Sequence, residues 1–166
     1  MCIRDRYWSG YITNEELLVD KKFFDLLESN GIIWGFVSGA ESASAKFVLE
    51  KRLGLKSPPL IEDAPDKPDP KGFINLSKKL IGDKLGESNI PIAYVGDTIA
   101  DINTVINARK EIPSQKFISI GIAPPHLHSK SRLNERDSYE KNLQDAGADL
   151  ILNSIYDLKD INLELF

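Results

Sequence analysis

The sequence predicts an α/β fold: a mainly parallel sheet with flanking helices. Short apolar runs alternate with segments of helical periodicity along the chain, which is the pattern of repeated strand–helix units. The run Ile32-Ile33-Trp34-Gly35-Phe36-Val37 is almost continuously apolar, as a strand buried on both faces reads. Polar residues suited to chemistry come directly after such runs, at Ser38 and Asp97, and open α/β sheets gather their ligands at the carboxyl ends of strands.

Each element has a local cue. Asp20 is suited to cap a helix running to about Asn30, with Phe23, Phe24, Leu26 and Leu27 inward and Gly31 at its end. After the strand ending at Val37, a helix over about Glu41 to Leu53 turns Ala43, Phe47 and Leu53 inward and stops at Gly54. Pro58 to Ile61 reads as a short strand. Asp69-Pro70 is a helix start, Asp as N-cap and Pro in the first helical position; Phe73, Leu76 and Leu80 share one face of that helix and Gly82 ends it. Pro91 to Val95 is a strand, Ile99 to Arg109 a helix and Lys116 to Ile122 a strand. The polar stretch from Ala123 to about Asp137 is long for a structureless loop, which marks it as functional or mobile. Ser138 to Ala146 reads as a helix, Leu150 to Leu152 as the last strand, and a short helix starts at Asp157.

Composition narrows the function. At 166 residues the chain suffices for one domain with a real core and is too short to argue for two. Its 21 basic and 25 acidic residues give a net charge of −4, which offers no electrostatic footprint for nucleic acid. No apolar run approaches the roughly 20 residues that span a bilayer, and no apolar leader opens the chain, so the expected setting is the cytoplasm. Cys2 is the only cysteine, so no internal disulfide is possible. Residues 1–6 show no pattern that continues into the rest of the chain and read as a translated adapter scar, a natural frayed terminus being the alternative.

Three strand ends carry candidate chemistry. Ser38 and Gly39 stand between a strand and a helix, where a hydroxyl and backbone N–H groups suit an anion; taken alone, a Ser–Gly turn that merely caps the helix is the better account of them. Lys67, in Asp66-Lys67-Pro68-Asp69-Pro70, has a backbone stiffened by proline, and its ammonium is suited to a phosphoryl oxygen; an exposed loop lysine is the alternative. Gly96-Asp97-Thr98-Ile99-Ala100-Asp101 sets two carboxylates one helical turn apart at a strand end, hard oxygen ligands of the kind Mg²⁺ takes. A helix dipole explains one of those acids but leaves the Gly-Asp-x-x-x-Asp frame unexplained. His126 and His128 lack an evident third metal ligand and read as solvent-facing loop residues. Neither Gly-x-Gly-x-x-Gly nor Gly-x-x-x-x-Gly-Lys occurs, which argues against a nucleotide-binding module.

Ser38, then Lys67-Pro68-Asp69-Pro70, then Gly96-Asp97-x-x-x-Asp101 stand in the order of the second, third and fourth motifs of the haloacid-dehalogenase-like superfamily. With Asp145-Ala146-Gly147-Ala148-Asp149, the chain resembles the phosphoglycolate-phosphatase-like branch from about Asp20 to Leu158. The resemblance implies a Rossmann-like core and a Mg²⁺-dependent phosphatase of a small phosphorylated metabolite, working through an aspartyl phosphate. It implies that Ser38 and Gly39 bind the phosphoryl group, that Lys67 stabilises the phosphoaspartyl intermediate and orients the nucleophile, and that Asp97 holds Mg²⁺ with Asp101 supporting it. Lys71 is the fallback for Lys67.

The departure is equally specific. The superfamily's first motif, Asp-x-Asp after a strand, supplies the nucleophile, and no Asp-x-Asp occurs in this sequence; Asp20 is followed at the paired position by Lys22. The expectation is therefore a core that lacks its first, central strand, between those ending at Val37 and Val95, together with the cap that decides specificity. Residues 1–19 are expected to be scar plus a remnant of cap or linker, with Tyr7, Trp8 and Tyr11 as remnant packing, and residues 20–166 to be the core. Such a chain is expected to have negligible phosphatase activity. A phosphate-binding or partner-binding pseudoenzyme is the alternative.

Overall fold

The computed structural model describes residues 11–39, 41–62, 64–87 and 90–161. The readings of residues 1–6, of Tyr7 and Trp8, and of the Tyr11 side chain lie outside what is described.

A short helix, α1 (Tyr11–Asn14), leads through an extended segment into α2 (Lys21–Ser29). Asp20 caps α2 as expected, its Oδ1 accepting from the Phe23 N–H at 3.2 Å. Gly31, at a φ of 71°, takes the left-handed conformation that ends the helix.

Strand β1 is only Phe36–Val37, and it pairs in parallel with β2, Leu60–Ile61. The expected strands over 32–37 and 58–61 are thus shortened, and Ile33 is 65% exposed rather than buried. Pro58 and Pro59 have no N–H to donate, so the ladder starts where the Phe36 N–H reaches the Pro59 carbonyl, at 2.8 Å.

The helix expected over 41–53 divides into α3 (Ser42–Lys46) and a π-helical turn, Phe47–Arg52. The wider turn, marked by the Leu53 N–H bonding back to Val48 O at 3.0 Å, rotates the inward face. Leu49 and Leu53 are buried, while Ala43 and Phe47 are half-buried. Helix α4 spans Lys71–Ile81. It begins after Pro70, and Asp69 secures its start by accepting from the Lys71 N–H at 2.8 Å.

The second sheet is β3 (Ile92–Gly96), β4 (Phe117–Ile122) and β5 (Leu150–Leu152), parallel and in that order. Helices α5 (Ile99–Glu111) and α6 (Leu133–Asp145) make the crossovers. The 123–137 stretch is not structureless: it holds two 3₁₀ turns, Pro125–Leu127 and Lys130–Arg132, and the first turn of α6. Pro125 opens the first turn and Leu127 is buried, which folds the stretch back onto the sheet. His128 goes with it and bonds through Nε2 to the Ala123 carbonyl at 2.8 Å, so only His126 faces solvent as expected. The expected helix at Asp157 is a 3₁₀ turn, Ile155–Asp160, capped by Ser154.

Strand β4 organises the core. Ile118, Ile120 and Ile122 face a cluster with Phe23, Phe24, Leu49, Leu53, Leu55 and Leu152. Trp34, Phe36, Leu60, Ala93, Val95 and the segment Leu17–Val19 pack against the same cluster, so both sheets share it. Phe117, on the other face of β4, joins Phe73, Val105 and Ala108 from α4 and α5. Both faces of the larger sheet are therefore covered, as parallel sheets require. Among the described residues no strand joins β1 to β3, and the division between the sheets falls where the sequence placed an absent strand.

Candidate active site

Gly96 closes β3 against the start of α5. A Cβ on Gly96 would lie 2.2 Å from the Asp101 Cβ, so only glycine lets the chain pass there. Thr98 then caps α5 in a reciprocal box: its Oγ1 accepts from the Asp101 N–H at 3.2 Å, and its own N–H donates to Asp101 Oδ2 at 3.0 Å. The Thr98 hydroxyl also donates to Oδ2, at 2.6 Å. Asp101 Oδ1 accepts from the Tyr94 hydroxyl at 3.1 Å and pairs with the Lys67 ammonium at 2.5 Å. This carboxylate is 1% exposed, and its two oxygens are engaged by Lys67, Tyr94 and Thr98.

Lys67 comes from the loop ahead of α4. The Asn107 side-chain amide of α5 donates to the Pro68 carbonyl at 3.1 Å, tying that loop down, and the ammonium stands 5.7 Å over the Tyr94 ring. Burial draws the Lys67 pKa down, but the hydrogen bond to Asp101 and the Asp101 charge help to outweigh it and hold the ammonium above its usual range. Tyr94 is pushed up to about 12 by burial and then by the Asp101 charge, so it remains a hydroxyl donor.

Asp97 is in the opposite condition. Burial, followed by the nearby Asp101 charge, raises its carboxyl above the ordinary carboxylate range, and Glu15 adds to the rise. Its carbonyl accepts from the Tyr139 hydroxyl of α6 at 2.6 Å. Burial and then the charges of Asp97 and Asp101 raise Tyr139 in turn, keeping it protonated.

The chain resembles a solved structure, a phosphonoacetaldehyde hydrolase like protein from Oleispira antarctica, with a TM-score of 0.65 and 20% identity over 84% of this chain and 53% of that one. The chain has a haloacid-dehalogenase-like fold. It spans about half the length of that protein. No protein-family model and no curated protein matches it.

Within the haloacid-dehalogenase-like fold, the sequence-predicted residues divide into two groups. Lys67 and Asp101 are in direct contact, with Asp97 in electrostatic reach of both. Ser38 and Gly39 end the strand of the smaller sheet, where the Ser38 N–H points to the Ile61 carbonyl at 3.4 Å. A Cβ at Gly72, in the first turn of α4, would come within 2.8 Å of the Val37 side chain and 2.7 Å of Ala64. Helix α4 thus starts against the end of β1, and the Lys67 loop before it reaches the end of β3. Lys71, the fallback, lies on the exposed side and pairs with Asp69 at 3.7 Å.

Sequence reasoning missed Tyr94, Thr98, Asn107 and Tyr139. The Thr-x-x-Asp capping pattern is a signal that could have marked Thr98. No local signal marks Tyr139, which is 42 residues from its partner.

Among the described residues, no three His, Cys, Asp or Glu side chains gather as a metal cage. Mg²⁺ asks for less, since one or two carboxylates suffice alongside water and phosphate. Asp97 suits it: its ionised form is disfavoured by burial and by a like charge, and a cation relieves both. Asp101 is already neutralised by Lys67.

Proposed function

We propose that this chain carries the phosphoryl-binding and Mg²⁺-binding part of a phosphomonoester hydrolase site for a small phosphorylated metabolite. The observation that supports this best is the Lys67 ammonium, fixed on buried Asp101 at the end of β3 beside Asp97, whose carboxyl is held above the ordinary range by burial and the Asp101 charge despite Lys67. Lys67 keeps its charge at all physiological pH and has N–H donors to spare for a phosphoryl oxygen. Ser38 and Gly39 offer a hydroxyl and backbone N–H groups to the same anion. Asp97 holds Mg²⁺, and Asp101 fixes Lys67. When bound, Mg²⁺ supplies neutralisation of the charge on the phosphoryl oxygens.

The solved neighbour's name denotes hydrolysis of a phosphonate, whose anionic oxygens make the same demands on Lys67 and Ser38. The reading places the protein in the cytoplasm with a small-molecule partner and no nucleic acid or membrane. The net charge of −4 supports the second point, and no helix among the described residues is long and apolar enough to cross a membrane.

An in-line attack needs a nucleophile, and this sequence has no Asp-x-Asp. The chain alone is therefore expected to bind phosphate with Mg²⁺ and to show negligible turnover. The same absence favours a second reading, a phosphate-binding pseudoenzyme. Titration with inorganic phosphate and Mg²⁺, followed by calorimetry, tests the binding shared by both, which Lys67→Met should abolish. Phosphate binding that ignores Lys67 would refute the site. Mg²⁺-dependent hydrolysis of p-nitrophenyl phosphate that vanished in Asp97→Asn would refute the expected inactivity.

A further inference from the structure

The peptide group joining Asp97 to Thr98 is held at both ends by different helices. Its N–H, on Thr98, donates to Asp101 Oδ2 of α5 at 3.0 Å. Its carbonyl, on Asp97, accepts from the Tyr139 hydroxyl of α6 at 2.6 Å. The α5 half of this grip is local and comes from the capping box; the α6 half spans 42 residues of sequence.

Helix α6 is placed to hold it. Arg136, Tyr139, Glu140 and Leu143 share one face at i, i+3, i+4 and i+7. Leu143 is 1% exposed and packs beside Gly121 of β4. Arg136 bonds Glu140 at 2.6 Å and donates to the Asn153 carbonyl, just past β5, also at 2.6 Å. The helix therefore touches the carboxyl ends of β3 and β5 through residues one turn apart. The Tyr139 bond restrains rotation of the Asp97–Thr98 peptide and so fixes the backbone direction from which the Asp97 side chain departs.

We infer that Tyr139 is a positioning residue, which locks the Asp97–Thr98 peptide and so aims the Asp97 carboxylate at the cation site. This deepens the proposed Mg²⁺ and phosphoryl site and rests on it. The hydroxyl touches neither cation nor phosphoryl group; it acts through the backbone of Asp97.

Three variants of the whole chain test it: Tyr139→Phe, which keeps the ring, Arg136→Gln, which loosens α6 at its other tether, and Asp97→Asn. Mg²⁺ affinity is measured by calorimetry, and exchange of the Thr98 amide by NMR. Outer-shell partners typically change metal affinity 10–100-fold, and one acting through backbone belongs at the low end, so Tyr139→Phe is expected to weaken Mg²⁺ about tenfold. Thr98 exchange should rise about tenfold without a matching rise across the core. Arg136→Gln should leave Mg²⁺ affinity unchanged. Equal weakening by Arg136→Gln and Tyr139→Phe would reduce Tyr139 to general packing of α6 and overturn the inference. So would unchanged Thr98 exchange in Tyr139→Phe. If Mg²⁺ binding survives Asp97→Asn, or the unmodified chain binds none, the cation site itself fails; the Thr98 amide then still reports separately whether Tyr139 holds the peptide.

Discussion

The Lys67–Asp101 contact lends itself to a double-mutant cycle. In Asp101→Asn, the side-chain oxygen still accepts from the Thr98 N–H and hydroxyl, but the amide NH₂ faces the Lys67 ammonium, donor against donor. A charge-assisted hydrogen bond is worth about 1.5–3 kcal/mol. Lys67 is 33% exposed and can swing into water, so the low end applies, about 1.5 kcal/mol. Lys67→Met does the reverse and strands a carboxylate 2% exposed at its side chain. Breaking a fully buried pair costs about 3–5 kcal/mol. Here the Tyr94 and Thr98 donors and the start of α5 still stabilise the anion, which brings the figure to about 2 kcal/mol. The double variant strands neither charge and should cost about 2 kcal/mol in total, leaving a coupling of about 1.5 kcal/mol. Urea unfolding of the four proteins with linear extrapolation measures it. Because Lys67 is raised above 10.5 in the fold, the stabilisation is fully present below that pH and is lost as pH rises through the higher folded value. The cycle at pH 7 thus reads the full effect. A coupling under about 0.5 kcal/mol, the limit for independent sites, would show that Asp101 does not hold Lys67.

Other outcomes are expected from the same geometry. Gly96→Ala drives a methyl into the Asp101 side chain at 2.2 Å and should destabilise by at least the cost of overpacking, about 1–3 kcal/mol, read as a lower urea midpoint with unchanged slope. Asp97→Asn should raise the melting temperature at pH 7, because the raised pKa means that folding penalises the ionised form. That gain should shrink as pH falls through the raised value and vanish below 3.8, where both proteins are neutral at this position. Mg²⁺ should then stabilise the unmodified chain and leave Asp97→Asn unmoved. Ser119 Oγ is buried without a hydrogen-bond partner, so Ser119→Ala should be neutral or stabilising by up to about 1 kcal/mol in the same unfolding assay.

Much of the fold was legible because its cues are local. Asp20, Gly31, Gly82 and the apolar spacing of 73, 76 and 80 marked helix ends and faces that the structure keeps. What escaped depended on partners distant in sequence. The run 32–37 has the composition of a buried strand, yet strand length is set by the neighbour's donors, and Pro58-Pro59 supplies none. The π turn after Lys46 puts Leu49 rather than Phe47 into the core, and periodicity assumes a constant turn. The stretch after Ala123 looked unstructured because its order comes from Leu127 and His128 folding onto the end of β4. In the site, Lys67, Asp97 and Asp101 were visible as a spaced pattern, and the structure adds what joins them: Tyr94 from within β3 and Tyr139 from α6.

The asymmetry between the two carboxylates is the strongest physical argument about chemistry. Both sit in the same turn and four residues apart, so sequence treats them alike. Burial acts on both, but Asp101 is paired directly with an ammonium, two hydroxyls and a backbone N–H, whereas the Lys67 charge and a backbone hydrogen bond offset the burial of Asp97 only in part. Asp97 is left with a raised pKa and a like charge for a neighbour. Environments that treat two like groups so differently are a mark of divided roles in active sites. A purely structural turn would be more stable with Asn at 97 and has no need of the strain. An intact carboxylate there is understandable if a cation completes it, and that makes the melting temperature of Asp97→Asn, with and without Mg²⁺, the sharpest single discriminator between a structural turn and a working site.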